Sequence, residues 1–254
     1  MRQVARAVSN VKRIIPVFVL FLFPSVYSFS QPANDPAATK IRRLLDHAEP
    51  YYNVNEKLVN GFLYSLPDDR IDGHPYLEDD QWVPGTLFIS GDIFDQVLLK
   101  YDLTRDDIIL KARMANGKFK AIEMTHEHVD SFRLGIRLFV NSRKFTDRNE
   151  DMVYYEQILD KHLTYVRQHS KHFISQYDVL TPHGRYSNTE TRNYFIDQGK
   201  LINVTGRRGF IRFFSKTGRN EIRKFLRKEN IRYRNASDAE LHRLLEYCNQ
   251  IMSQ

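Results

Sequence analysis

Asp107-Ile108-Ile109-Leu110-Lys111-Ala112-Arg113-Met114-Ala115-Asn116-Gly117-Lys118-Phe119-Lys120-Ala121-Ile122-Glu123-Met124 carries the strongest hairpin signal of the chain. Asp107 to Arg113 and Phe119 to Met124 are extended runs flanking Asn116-Gly117, the dipeptide whose backbone most readily takes the positive φ angles of a type I′ turn. A hairpin is predicted. Working outward, Thr86 to Ser90 and Ile93 to Tyr101 lie on either side of Gly91-Asp92 and predict another. Phe132 to Val140 alternates apolar residues with Arg133 and Arg137, which reads as the closing strand of a meander with one wet face. Gly61 to about Arg143 is therefore expected to be antiparallel sheet.

Asp151 to Gln176 admits two periods. Tyr155, Ile158, Leu159, His162 and Val166 suit a helix, whereas Val153, Tyr155, Gln157 and Leu159 leading into Asp160-Lys161, then Leu163, Tyr165 and Arg167, suit two strands. The branched and aromatic content favours strands. Asp178 to Arg192 holds Pro182, Gly184 and a cluster of Ser, Thr and Asn, the composition of a loop. Tyr194 to Ile196 and Leu201 to Val204 predict a further hairpin around Asp197 to Lys200. After Ser215 the period becomes helical, with Ile222, Phe225 and Leu226 on a helix ending near Asn230. Ser237-Asp238-Ala239-Glu240 is a capping box that opens the last helix. Its apolar stripe, Leu241, Leu244, Leu245, Cys248 and Ile251, makes the lone cysteine a core residue. The fold class expected is α+β: a mainly antiparallel sheet, a meander of hairpins over about 51–205, followed by two C-terminal helices. The segments are a cleavable signal over 1–30, a spacer and short helix (Lys40 to Ala48) over 31–50, a β-rich domain over 51–180, and a hairpin with two helices over 181–254 packed on the same unit.

The first thirty residues read as an export signal. Arg2, Arg6, Lys12 and Arg13 form a basic start, and Ile14 to Phe23 is an apolar run of ten, short of the roughly 20 residues that span a membrane. Ser28 and Ser30 stand at the −3 and −1 positions of a cleavage that leaves Gln31 first. Those thirty residues carry four basic side chains and no acidic one, so the net charge of +7 falls to about +3 in the mature chain. More than half of the excess is discarded, which makes nucleic acid a poor candidate partner. One cysteine permits no internal disulfide. Export without disulfides fits the periplasm or outer envelope of a Gram-negative bacterium, and no second stretch of the mature chain approaches spanning length.

The remaining positive charge is segregated. Between Arg185 and Arg234 fourteen basic residues face four acidic ones, Glu190, Asp197, Glu221 and Glu229. Arg207, Arg208 and Arg212 lie near a Gly-containing stretch, and Arg219, Arg223, Lys224, Arg227 and Lys228 crowd about three helical turns. The bland account is a solvated face, or a surface docked against the chain's own acidic half. The functional account is a site for an envelope protein or acidic polymer, or for an anionic membrane surface.

His126 and His128, two apart, would project from one face of a strand and chelate a metal given a third ligand from elsewhere. Thr125-His126-Glu127-His128 is not the HExxH of zinc proteases, and paired histidines are as a rule surface residues. His162, His169 and His172 are the remaining candidates for that ligand. Asp68, Asp69, Glu78, Asp79, Asp80, Asp92, Asp95, Asp102, Asp106 and Asp107 offer carboxylate pairs for acid–base work, yet they fall mostly at predicted turns, where Asp bonds its own backbone. Tyr64, Tyr76, Trp82, Phe88, Phe94 and Tyr101, with Tyr51 and Tyr52, read as core and cross-strand residues before they read as a glycan platform. GxSxG, phosphate-loop, GxGxxG and CxxC motifs are absent. No cofactor is expected.

The run Gly85-Thr86-Leu87-Phe88-Ile89-Ser90-Gly91-Asp92-Ile93-Phe94-Asp95-Gln96-Val97-Leu98-Leu99-Lys100-Tyr101-Asp102 resembles a pattern found in uncharacterised exported proteins of Bacteroidota. So does the ending, with Tyr194-Phe195 and Phe213-Phe214 ahead of a basic helix and a short final helix. The resemblance implies a periplasmic or envelope location and carries over no catalytic residue. The function expected is that of a non-enzymatic exported binding module. Two alternatives stand beside it: a hydrolase or metal-dependent enzyme acting on envelope polymers through His126, His128 and nearby carboxylates, and peripheral contact with anionic lipid or lipopolysaccharide through the basic helix.

Overall fold

Alternating residues and left-handed turns assemble the chain into hairpins, and a computed structural model describes them over residues 58, 61–114, 117–146, 152–175, 177 and 179–253. The signal expected over 1–30, the spacer expected over 31–50 and the helix expected over Lys40 to Ala48 lie outside the described residues, as do Tyr51, Tyr52 and Asn116. In chain order the strands are β1 (Gly61–Leu63), β2 (Val83–Ile89), β3 (Asp92–Asp102), β4 (Asp107–Arg113), β5 (Phe119–Met124), β6 (Val129–Leu134) and β7 (Arg137–Asn141). They continue with β8 (Tyr154–Asp160), β9 (Thr164–Ser170), β10 (Phe173–Ile174), β11 (Arg185–Tyr186), β12 (Glu190–Asp197) and β13 (Lys200–Asn203). The helices are α1 (Gly206–Arg212), α2 (Lys216–Lys228) and α3 (Asp238–Met252). The architecture is α+β, mainly an antiparallel sheet with helices at the C-terminal end.

Eleven strands form one sheet in the order β1-β5-β4-β3-β2-β6-β7-β8-β9-β12-β13, and β10 pairs with β11 alone. Residues 51–180 and 181–254 both contribute strands to it. β5 and β6 stand four strand spacings apart in that order, about 19 Å on a flat sheet. Thr125 to His128 alone joins them, closed by a bond from the His128 N–H to the Thr125 carbonyl at 3.1 Å. The sheet must therefore curl. Register shifts supply the bend: Gln96 is extra opposite Gly85/Thr86 and takes φ +59°, and further shifts lie at Phe88/Ile89 and Gln157/Leu159. Gly85 sits where a Cβ would come within 2.3 Å of the Arg133 carbonyl, so the strands can approach there only without a side chain.

The curl encloses a first core of Leu87, Leu99, Tyr101, Ile108, Leu110, Phe132, Phe139 and Tyr154. Phe132 and Phe139 stack at 4.8 Å with Tyr101 and Tyr154 edge-on against them. Tyr64, Tyr76 and Ile109 build a small cluster on the other face of β4, with Trp82 against it. Of the aromatics expected to be core, Tyr64, Tyr76 and Tyr101 are buried, whereas Trp82, Phe88 and Phe94 are half-buried. Farther along the sheet, Leu159, Tyr165 and Phe195 pack under the helices, on Phe210, Phe214, Ile222, Leu226, Leu244, Leu245 and Cys248. Cys248 is buried, and burial pushes its thiol well up. Ser215 caps α2 by accepting from the Gly218 N–H at 3.2 Å, and the capping box at Ser237 and Glu240 is formed.

Residues 154–170 are a hairpin, as the branched and aromatic content predicted. Three readings need correction. Phe132 to Val140 is not one strand: Gly135 takes φ +56° and turns the chain, leaving Ile136 98 % exposed at the tip between β6 and β7. The central hairpin closes by bonds from the Met114 N–H to the Lys118 carbonyl and from the Gly117 N–H to the Met114 carbonyl, a longer connection than a two-residue turn. Three helices follow the sheet in place of two, because Gly206–Arg212 forms a seven-residue helix too short to show a period. Among the described residues no helix is long and apolar enough to cross a membrane.

Candidate arginine groove

The helices decide where the basic residues go. On α1, Arg208 and Arg212 are one turn apart, and on α2, Arg219, Arg223 and Arg227 form a stripe at spacing four. Burial of Phe210 and Ile211 beneath α1, and of Ile222 and Leu226 beneath α2, turns those stripes away from the core. Arg207, Arg208, Arg212, Arg219 and Arg223 then line one groove of about 680 Å³ together with Ile211. Five arginines border it.

Arg219 is fixed by backbone carbonyls: its Nε donates to the Phe214 carbonyl at 2.8 Å and its Nη2 to the Arg212 carbonyl at 2.9 Å. This ties α2 to the C-terminal end of α1, where cations are favoured. Arg223 Nη1 donates to Asn220 Oδ1 at 3.0 Å. Among the described residues none of the five lies within ion-pair distance of a carboxylate; the acids nearby are used by Lys224, which meets Glu221 at 2.9 Å, and by Arg243, which meets Glu229 at 3.8 Å. Like charges at spacing four cost a helix about 0.2–0.5 kcal/mol each. An anion in the groove removes that penalty.

Two further grooves adjoin. Lys224 and Arg227, with Lys216, Asn220 and Arg223, line one of about 410 Å³ along α2. Arg208 and Arg212 also face one of about 610 Å³ between α1 and the end of the sheet, with Ile202, Asn203 and Phe213. Lys228, in the last turn of α2, lines neither the 680 Å³ nor the 410 Å³ groove. The run of basic residues pointed to this surface, but Ile202, Asn203 and Phe213 gave no sign in the sequence, since their place depends on α1 folding back.

His126 and His128 lie in the turn between β5 and β6 and not on a strand. His128 is exposed. His126 points inward, with Nδ1 donating to the Met152 carbonyl at 2.8 Å and Nε2 3.2 Å from Asp107 Oδ1, in ion-pair range though off the line of a hydrogen bond. Burial opposes a charge on this ring, yet the contacts to Asp107, Met152 and Asp106 outweigh it and raise its pKa. Among the described residues no group of three His, Cys, Asp or Glu side chains is arranged to hold a metal. Asp106, in the left-handed region at φ +63°, accepts from Tyr101 Oη and from the Tyr154 N–H at 2.9 Å. Burial raises its carboxyl to about 7 against those bonds.

A second polar group draws together His169, expected as a candidate metal ligand, Arg137, expected on the wet face, and Glu156, which gave no signal in the sequence. Glu156 lies on β8 between Tyr154 of the first core and Leu159 of the second. Arg137 grips it in a fork, Nε to Oε1 at 2.7 Å and Nη2 to Oε2 at 3.0 Å, and His169 Nε2 meets Oε2 at 2.8 Å. With that proton on Nε2, His169 Nδ1 accepts from Thr191 Oγ1 at 3.3 Å. The group reaches the surface through Arg137 Nη1, which donates to Glu78 Oε1 at 2.6 Å, and Arg167 Nη1 lies 3.7 Å from Glu156 Oε2, so Glu156 is held among three cationic or polar partners as a structural strut requires. Compared with protein-family models, curated proteins and solved structures, the chain matches none.

Proposed function

We propose that this protein is an exported binding module that holds an anionic macromolecule in its C-terminal arginine groove. Export rests on the basic start and ten-residue apolar run of the sequence. The observation that carries the binding is the convergence of Arg207, Arg208, Arg212, Arg219 and Arg223 on one groove, none of them within ion-pair distance of a carboxylate among the described residues. Arginine in place of lysine favours ligands with planar or branched oxyanions, carboxylate, sulfate or phosphate, because its fork donates two parallel bonds. The two orienting bonds of Arg219 hold one guanidinium in place before a ligand arrives, which lowers the ordering cost of binding.

Dextran sulfate is a suitable probe, titrated into the mature chain by calorimetry at rising salt. The affinity should fall linearly with the logarithm of salt concentration, as counterion release demands. Arg212→Glu combined with Arg223→Glu should weaken it by more than about tenfold, on the order expected for losing two charge contacts, with the thermal unfolding curve unchanged. Equal binding by that variant, or no binding by the native chain, would overturn the proposal. Flotation with anionic vesicles tests the membrane as occupant: co-flotation that vanishes in the same variant would assign the groove to lipid headgroups instead.

A further inference from the structure

We infer that the free edge of β13 and the arginines of α1 together form a docking groove for an extended acidic peptide, which joins the sheet as a twelfth strand. The inference rests on the reading of the arginines as an anion site and names the partner's chemistry. β13 ends the sheet, paired with β12 on one side alone. Its register is Asp197↔Lys200, Ile196↔Leu201, Phe195↔Ile202 and Tyr194↔Asn203, and the Val204 N–H donates to the Asn193 carbonyl at 2.8 Å. That bond sets the phase of the ladder. Ile202 and Lys200 exchange their main-chain bonds with β12, so the N–H and C=O groups of Leu201 and Asn203 point to the open side.

Edges of this kind are a template for another strand unless a charge, a proline or a bulge blunts them. Lys200 sets one exposed cation at the turn end of the strand, a charge that repels a basic strand and suits an acidic one, while Leu201, Ile202 and Asn203 supply none of these, and Ile202 is 38 % exposed. The face also matters. Ile202 shares the side of the sheet on which Phe195 stacks against Phe213 at 4.1 Å, the side that α1 covers. The groove of about 610 Å³ between them is lined by Ile202, Asn203, Arg208, Arg212 and Phe213, with Asp197 at its turn end. Arg208 and Arg212 line both this groove and the larger arginine groove, so the two adjoin.

A strand added to β13 would send every second side chain, about 6.6 Å apart, to the face of Ile202 and so toward Arg208 and Arg212. Main-chain bonds to Leu201 and Asn203 would supply affinity, and the arginine wall would select Asp or Glu at alternate positions. At the turn end Asp197 and Lys200 stand opposite each other and their charges offset, so the arginines set the preference. The favoured peptide therefore carries its acidic residues toward α1.

The probe is a fluorescein-labelled peptide, Thr-Glu-Val-Glu-Val-Glu-Thr, measured by anisotropy against the mature chain, with dextran sulfate run in parallel. Binding of the peptide is expected, with loss of binding when the three glutamates are replaced by lysine. Two N-methylated versions decide the mode, one methylated on the glutamate amides and one on the valine amides. One of them should lose more than about tenfold in affinity and the other little, since only alternate amides face the sheet edge. Leu201→Pro, which removes an edge N–H that β12 does not use, should lower peptide affinity and leave dextran sulfate binding intact. If that variant fails to fold, the methylated peptides still decide. Equal binding of both methylated peptides alongside retained dextran sulfate binding would overturn strand addition and leave the arginine groove standing. Failure of both probes would overturn the groove and the strand together.

Discussion

Glu156 keeps its charge although it is almost fully buried. Burial alone would push its carboxyl up, but bonds from His169 and Arg137 outweigh it and hold the group at about 2, below its ordinary 4.5. Stability from this depressed acid is present above pH 4.5 and is lost as pH falls from there toward 2. Removing one member of a buried charge network strands the others, so Glu156→Gln should cost about 3 kcal/mol by urea unfolding at pH 7. An unchanged midpoint would mean that the fork of Arg137 contributes nothing net. Asp106 behaves in the opposite sense. Burial raises it from 3.8 to about 7, so the folded state holds a proton that the unfolded chain releases. Its contribution is full below pH 3.8 and is lost as pH rises through 7. Asp106→Asn imitates the protonated form and should flatten the fall in melting temperature as pH rises from 3.8 through about 7. Parallel curves for the variant and the native chain would remove Asp106 from the account.

At the scale of elements, the helices start where short local signals place them. Ser237 accepts from the Glu240 N–H at 3.3 Å while Glu240 Oε2 accepts from the Ser237 N–H at 2.8 Å. Ser237→Ala should destabilise the protein by about 1 kcal/mol in chemical denaturation, the usual worth of such a cap. A loss under a few tenths would show that packing of Leu241, Leu244 and Leu245 alone sets the start of α3. Helix α1 has no comparable signal: Thr205 precedes it without a side-chain cap bond, and Gly206 enters at φ +64°. Its hold on the molecule is tertiary, through Phe210 against Tyr165 and Phe195. This explains why two helices were legible in the sequence and the third was not. The same holds for the sheet, where left-handed Gly135 split a stretch whose alternation continued through the turn.

At the scale of the molecule, two apolar cores share one sheet, with the bonds of Glu156, Arg137 and His169 set between them. Lys171 adds a second tie, donating from Nζ to the carbonyls of His74 and Tyr76 at 2.9 Å and from its N–H to Leu103. The sequence by itself determined the class of the fold, most of its strands, two of its helices and the segregation of positive charge. Period, turn chemistry and caps act over a few residues, so they can be read along a chain. What the tertiary structure alone decided is the curl of the sheet, the strand order that returns β6 to β2, and the meeting of α1 with α2 and β13. Residues that touch across long separations leave no local period. Arg208 comes to stand between a groove lined by Ile202 and one lined by Arg223 only when the helices bury Phe210 and Ile222 and turn their charged faces outward.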